Sequence, residues 1–259
     1  MTFQERGTGA GRAPLVTVVS GSGGVGKSTV CLLSAWLCAS AGISTALVEA
    51  DLQFGDMGYW LGLDDELPSL ADGMRCEPVH LADKLALYKA PSLPEVAEDI
   101  ADGTVHLVSG MRRAYDLVIA DTGGFWSGLT AELACNASLL FNVMDARPAS
   151  VMAAVRAQEL CARIGIAASR CIAVYNRYGS RARLSEAQAR AALAPVELHS
   201  IGEGRAVVDA LLSSGSVDQL VTSGNGAVQG VDALLAAALP RVGVLYAGAL
   251  AGSRRGLFR

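Results

Sequence analysis

Residues 21–28 read Gly-Ser-Gly-Gly-Val-Gly-Lys-Ser. They fit the spacing G-x-x-x-x-G-K-[ST], a loop built to hold phosphate. Each residue type has a physical reason to be there. Gly21, Ser22, Gly23, Gly24, Val25 and Gly26 can curl their backbone N–H groups around phosphate oxygens, because glycines put no Cβ in the way. Lys27 can reach the β- and γ-phosphates, and the Ser28 hydroxyl can ligate Mg²⁺. A helix starting here adds the partial positive charge of its N-terminus. The competing reading is a glycine-rich turn carrying a chance Gly-Lys-Ser. Lysine is scarce in this chain, with Lys27, Lys84 and Lys89 standing among 21 basic residues, and that weighs against chance.

The flanks supply the context such a loop needs. Residues 14–20 (Pro-Leu-Val-Thr-Val-Val-Ser) form a β-branched apolar run that reads as a buried strand, and residues 27–41 read as a helix. Further strands are expected at 44–50, 84–90, 115–121, 138–144, 170–175 and 196–201. Helices are expected near 69–74, 94–101, 104–113, 150–164, 185–193, 205–212 and 228–239. Residues 52–83 otherwise read as irregular, and 105–108 alone could pass for a strand. Strands alternate with helices and mostly lack polar/apolar alternation. The expected fold is therefore α/β, a doubly wound, mainly parallel sheet with helices on both faces. In such sheets ligands bind beyond the carboxyl ends of the strands. Asp51, Asp121, Asn176 and the 202–204 turn fall there with the glycine loop. Asp121 follows Leu-Val-Ile-Ala, the hydrophobic strand whose terminal acid holds Mg²⁺ through water in phosphate-loop enzymes. Asp51 is close enough in this topology to orient an attacking water, although a loop-capping aspartate is its plainer reading.

Composition narrows the class. The chain has 259 residues, 51% hydrophobic, with a net charge of −4. That suits one large α/β domain, residues 14–239, between a loose polar tail (1–13) and a C-terminal tail (240–259). The charge argues against a strongly basic nucleic-acid binder but leaves room for a local patch. None of the six cysteines forms C-x-x-C, and with no secretory signal at the N-terminus a reducing cytoplasm is expected. The uncharged stretch 28–48 is long enough to span a bilayer, but a helix ending at Gly42 followed by a strand explains it better.

With these residues in place, the chain resembles the MinD/ParA ATPases. The resemblance rests on Gly-Gly-Val-Gly-Lys-Ser-Thr at 23–29, the acid-x-acid ending Glu49-Ala-Asp51, and Asp51-Leu-Gln-Phe-Gly-Asp56. The last run is similar to the CpaE/TadZ branch, which places tight-adherence (Flp) pilus machinery at the cell pole. Ala90-Pro-x-x-Pro-Glu95, Tyr115-Asp-Leu-Val-Ile-Ala-Asp121 and Val174-Tyr-Asn-Arg-Tyr178 fit the same branch. The resemblance implies that Gly23, Gly24, Gly26 and Lys27 hold the phosphates of ATP and that Thr29 meets the α-phosphate. Ser28 would bind Mg²⁺, with Asp121 its partner through water. Asp51 would position the hydrolytic water and Asn176 would read the adenine edge. It also implies an ATP-dependent homodimer working with pilus or secretion components, in the cytoplasm or peripherally at the inner membrane or pole. A septum-site or chromosome/plasmid partitioning role is the alternative. A nucleotide-binding scaffold without turnover is a second, and a metabolic enzyme on the same fold a third, without a visible substrate constellation.

The chain departs from that family where a lysine opens the loop, since Ser22 stands there and a serine supplies no cation. Glu49 replaces the usual Asp, and Thr122-Gly-Gly124 and Gly202 stand where proline is common. Slow or partner-dependent hydrolysis is therefore expected. The acid-free arginines of 160–185 (163, 170, 177, 181, 183) offer a solvated face or, less favoured, a nonspecific DNA surface. The tail Ser253-Arg-Arg-Gly-Leu-Phe-Arg259 resembles the lipid-touching ends of MinD-like proteins. It carries too little apolar area for more than weak membrane contact. Cys135 invites an iron–sulfur reading, but no second thiol is an obvious partner.

Overall fold

The computed structural model describes residues 11–179 and 182–250. Eight strands form one sheet in the order β3-β4-β2-β5-β1-β6-β7-β8. They are β1 (Leu15–Val19), β2 (Thr45–Ala50), β3 (Val79–Ala82), β4 (Leu85–Tyr88), β5 (Leu117–Thr122), β6 (Leu139–Asp145), β7 (Cys171–Tyr178) and β8 (Glu197–Gly202). Neighbours pair in parallel except β3, which runs antiparallel to β4 at the edge.

Helices α1 (Lys27–Ser40), α7 (Arg205–Ser213), α8 (Val217–Thr222) and α9 (Gly226–Ala238) cover one face. Helices α3 (Ala97–Ala114), α4 (Gly128–Asn136), α5 (Pro148–Arg163) and α6 (Glu186–Leu193) cover the other. Successive strand residues point to opposite faces. Val16 and Val18 accordingly pack with α1 and α9, while Leu15 and Val19 pack with the opposite helices. Both faces are covered, so β1, β2, β4, β5 and β6 are buried along their whole length, while the edge strands β3 and β8 are partly exposed.

Several elements differ from the sequence expectation. The two helices expected at 94–101 and 104–113 are a 3₁₀ turn (Pro94–Val96) and one continuous helix, α3. Gly103 does not break α3, because Leu107, Val108 and Met111 anchor it on the sheet. Burial of that stripe outweighs the roughly 1 kcal/mol propensity cost of one glycine. The 105–108 segment is helical accordingly. The one-turn helix α2 (Met57–Trp60), the edge strand β3, and helices α4 and α8 were not anticipated. Each is four to nine residues long, too short to show a clear period. The stretch 28–48 is α1, a turn at Gly42 and β2, and no described helix is long and apolar enough to cross a membrane. Residues 1–10 and the 253–259 tail lie outside the described residues, as does Arg181.

Candidate functional site

β1 lies centrally, between β5 and β6, and the glycine loop leaves its carboxyl end. Gly24 (φ +69°) and Gly26 (φ +88°) take left-handed conformations that L side chains resist. Between them Val25 is fully buried and pins the loop to the core. The loop is braced by α5 along its first half. Gly21 sits so close to the Ala153 carbonyl that a Cβ would overlap it. Ser22 Oγ meets Ser150 Oγ at 3.1 Å, and Ser20 Oγ donates to the Ser22 carbonyl at 2.8 Å. On the other side, Asn176 Nδ2 donates to the Val25 carbonyl at 2.8 Å, in a space that a Cβ on Gly26 would invade.

The loop hands over directly to α1, whose first turn has no side-chain cap and no acidic residue. Its leading N–H groups are therefore open to an outside acceptor. Lys27, the first residue of α1, is 9% exposed and has no hydrogen-bond acceptor among the described residues. Among the described residues, only the Asp121 carboxylate acts on this nearly buried ammonium through space, so its N–H donors are left to offer to an anion in the cavity. Gly23 and Gly24 have nothing within 4 Å of where a Cβ would stand, which leaves ligand-sized room above their backbone. Residues 23–29 together with Asp51, Trp60 and Arg177 line a cavity of about 430 Å³. These features fit a phosphate-bearing ligand.

Asp121, at the tip of β5, is fully buried behind Lys27. Burial pushes its carboxyl up to about 7, opposed by a hydrogen bond from Ser28, the Lys27 charge and the Cys31 thiol. Cys31 Sγ donates to Asp121 Oδ1 at 3.4 Å. The Ser28 hydroxyl and the Asp121 carboxylate thus face each other, an oxygen pair suited to a hard divalent cation and its water.

Asp51 lies just past β2 and lines the cavity. Its Oδ1 accepts the Phe54 N–H at 3.1 Å, and Gly123 approaches so closely that a Cβ would lie 3.1 Å from Oδ1. Glu49, two residues earlier, has a different task. Its buried carboxylate accepts the N–H groups of Met57 (2.7 Å) and Ala90 (2.9 Å), tying the loop after β2 to the end of β4. Burial raises its carboxyl above the ordinary value, more than those two bonds lower it.

Two arginines also reach the loop. Arg177, one residue beyond Asn176 and at φ +54°, donates from Nη1 to the Gly24 carbonyl at 3.1 Å. Arg147, just before α5, donates from Nη2 to the Gly23 carbonyl at 3.3 Å. Sequence reasoning noticed Arg177 but passed over Arg147. The available signal was Asp145-Ala-Arg147-Pro148, a cation placed between a strand tip and the proline that opens a helix. The arginines of 160–185 do not share one role, since Arg170 donates to the Cys135 and Ala137 carbonyls while Arg177 serves the loop. The 202–204 turn does not line the cavity. Gly204 packs against Val208 and Ala227, and α7 contributes Asp209 and Ser213 to the cavity instead. A second groove of about 750 Å³, between α3 and the loops after β2 and β5, shares Asp51, Phe54 and Gly124 with the first.

A family model described as ParA, NUBPL iron-transfer P-loop NTPase, matches residues 13–98. No curated protein sequence matches the chain. Among solved structures, a ParA family ATPase from Chlorobium tepidum TLS superposes with a TM-score of 0.72 at 20% identity, over 85% of this chain and 96% of that one. The septum site-determining protein MinD of Pyrococcus horikoshii, solved with Mg-ADP, gives 0.72 at 17% identity, over 90% and 100%. A Cyanothece McdA variant in complex with ATP gives 0.68 at 17% identity, over 87% and 97%. At these identities the likeness is one of fold, and the fold is that of the MinD/ParA P-loop ATPases.

Proposed function

We propose that this chain is a Mg-ATP-binding ATPase of the MinD/ParA group. The observation that carries the reading is the nearly buried Lys27, with no hydrogen-bond acceptor among the described residues, at the uncapped start of α1, under a loop held open by left-handed Gly24 and Gly26. The family model over 13–98 and the shared fold support it. Residues 21–29 would hold the triphosphate, and Asn176 and Arg177 flank the loop on the side assigned to the base. Mg²⁺ would sit on Ser28, with Asp121 beyond a water, and would neutralise charge on the β- and γ-phosphate oxygens. Asp51 orients the attacking water. Its carboxylate is fixed by the Phe54 N–H and stands over the cavity.

The reading extends to ATP-dependent self-association. Phe54 and Phe125, 77% and 75% exposed, stand by the two cavities, where a second copy would cover them. Hydrolysis is slow or partner-dependent, and its cellular use is the placement of pilus machinery, the role suggested by Asp51-Leu-Gln-Phe-Gly-Asp56. Septum or DNA placement shares the same chemistry and differs in the surface recognised. The test is light scattering and steady-state hydrolysis with Mg-ATP and with Mg-ADP. A dimer formed with Mg-ATP alone, accompanied by phosphate release, supports the reading. A monomer that never turns over, with or without lipid, DNA or pilus components, leaves a nucleotide-binding scaffold in its place.

A further inference from the structure

The loop rests on the start of α5 through three consecutive contacts: Gly21 on Ala153, Ser22 on Ser150 and Gly23 on Arg147. The second fixes the Ser22 hydroxyl against Ser150, whose Oγ also accepts the Asp145 N–H at 3.1 Å. The third brings a guanidinium to the neighbouring loop residue. That guanidinium is aimed. Arg147 Nε donates to both carboxylate oxygens of Asp145, at 2.9 and 2.7 Å, and its backbone N–H donates to Oδ1 at 3.1 Å. Nη2 then donates to the Gly23 carbonyl. Nη1 has no acceptor among the described residues, and the side chain is 61% exposed. The result is a cation clamped at its inner nitrogen, touching the phosphate loop, with donors unused at its outer end.

Phosphoryl transfer gains from such a group. A guanidinium supplied to the transferring phosphate stabilises its developing charge by about 10³–10⁵ in rate, and its planar fork matches phosphate oxygens two at a time. Position 22 supplies no charge here. We propose that Arg147, carried by the β6–α5 junction and aimed by Asp145, is the cation that contacts the terminal phosphate. This deepens the nucleotide reading above and rests on it. Arg177 lines the cavity, whereas Arg147 stands just outside its lining, at the Gly23 edge; Arg177 is still the less suitable candidate, because it approaches the loop from the opposite flank, beside Asn176, with Nη1 already donating to the Gly24 carbonyl.

The test compares Mg-AMP-PNP with Mg-ADP by calorimetry in wild type, Arg147→Ala, Ser22→Lys and the double variant, with melting curves to confirm folding. A contact to the terminal phosphate predicts that Arg147→Ala loses tenfold or more in affinity for Mg-AMP-PNP while Mg-ADP affinity stays within threefold. Ser22→Lys in the Arg147→Ala background should restore most of that discrimination, because it returns a cation to the next loop position. Asp145→Asn should shift it in the same direction as Arg147→Ala, since it releases the aim. Equal losses for both nucleotides would mean that Arg147 merely braces the loop, and would overturn the proposal. So would unchanged discrimination in Arg147→Ala, and a double variant no better than Arg147→Ala would overturn the exchange with position 22. A wild type that binds neither nucleotide would instead refute the nucleotide reading itself.

Discussion

Replacing Gly26 by alanine perturbs the loop at its tightest point, and the cost can be worked from two local facts. The backbone there has φ +88°, and holding an L residue in a left-handed conformation costs roughly 1–2 kcal/mol. The new methyl would also overlap Asn176 Nδ2, displacing the amide from the Val25 carbonyl it now reaches at 2.8 Å. Asn176 is 5% exposed, so an orphaned polar group there costs about 1–3 kcal/mol. Gly26→Ala should therefore lose about 2–5 kcal/mol of stability, seen as a drop in Tm of at least about 4 °C for a domain of this size. Nucleotide affinity should fall with it, because the carbonyl and amide pattern of the loop shifts. Gly23→Ala is the informative contrast. Its Cβ meets nothing within 4 Å, and its backbone is not left-handed. Its Tm should stay within about 2 °C of wild type, while Mg-ATP affinity falls at least about tenfold because the methyl stands in ligand space. The assay is a melting curve and a calorimetric titration on each protein. If Gly26→Ala melts and binds like wild type, or if both variants lose stability equally, the account of the loop fails.

Two further outcomes follow from the carboxylates. Asp51→Ala should keep Mg-ATP affinity within a few-fold and lose about 10²–10⁴ in single-turnover rate; an unchanged rate would return Asp51 to the role of a loop cap. Glu49 is held above its ordinary value of 4.5 by burial, so the native state binds its proton more tightly than the unfolded chain does. Its contribution to stability is thus fully present below about pH 4.5 and fades as pH rises through the raised native value. In urea melts from pH 4 to 8, the stability advantage of wild type over Glu49→Gln should shrink with rising pH. An advantage that grows would mean the two backbone N–H groups outweigh burial.

Seven of the eight strands, all but the edge strand β3, and the turn after β1 were legible because their signals are local. Val16, Val18, Leu47 and Ile119 sit in runs apolar on both faces, and only a sheet covered on both sides makes such runs sensible. Gly24 and Gly26 announce by type and spacing alone the left-handed turn that the loop after β1 makes. What stayed hidden depends on tertiary contact. Residues 94–101 and 104–113 read as two helices because nothing near them in sequence reveals the sheet that holds Leu107 and Met111 in one continuous α3. Glu49 read as a variant acid of the site, yet its oxygens are committed to Met57 and Ala90, the latter 41 residues away. Arg147 lies 124 residues from Gly23, and only the order β1-β6 in the sheet brings the two together.

The most direct test is calorimetric titration of Mg-ATP into the wild-type protein and into Lys27→Ala, with circular dichroism to show that both are folded. Saturable binding of one nucleotide per chain is expected in the wild type, and its loss in Lys27→Ala. A folded wild type that binds no Mg-ATP, or a Lys27→Ala variant that binds it equally well, would contradict it.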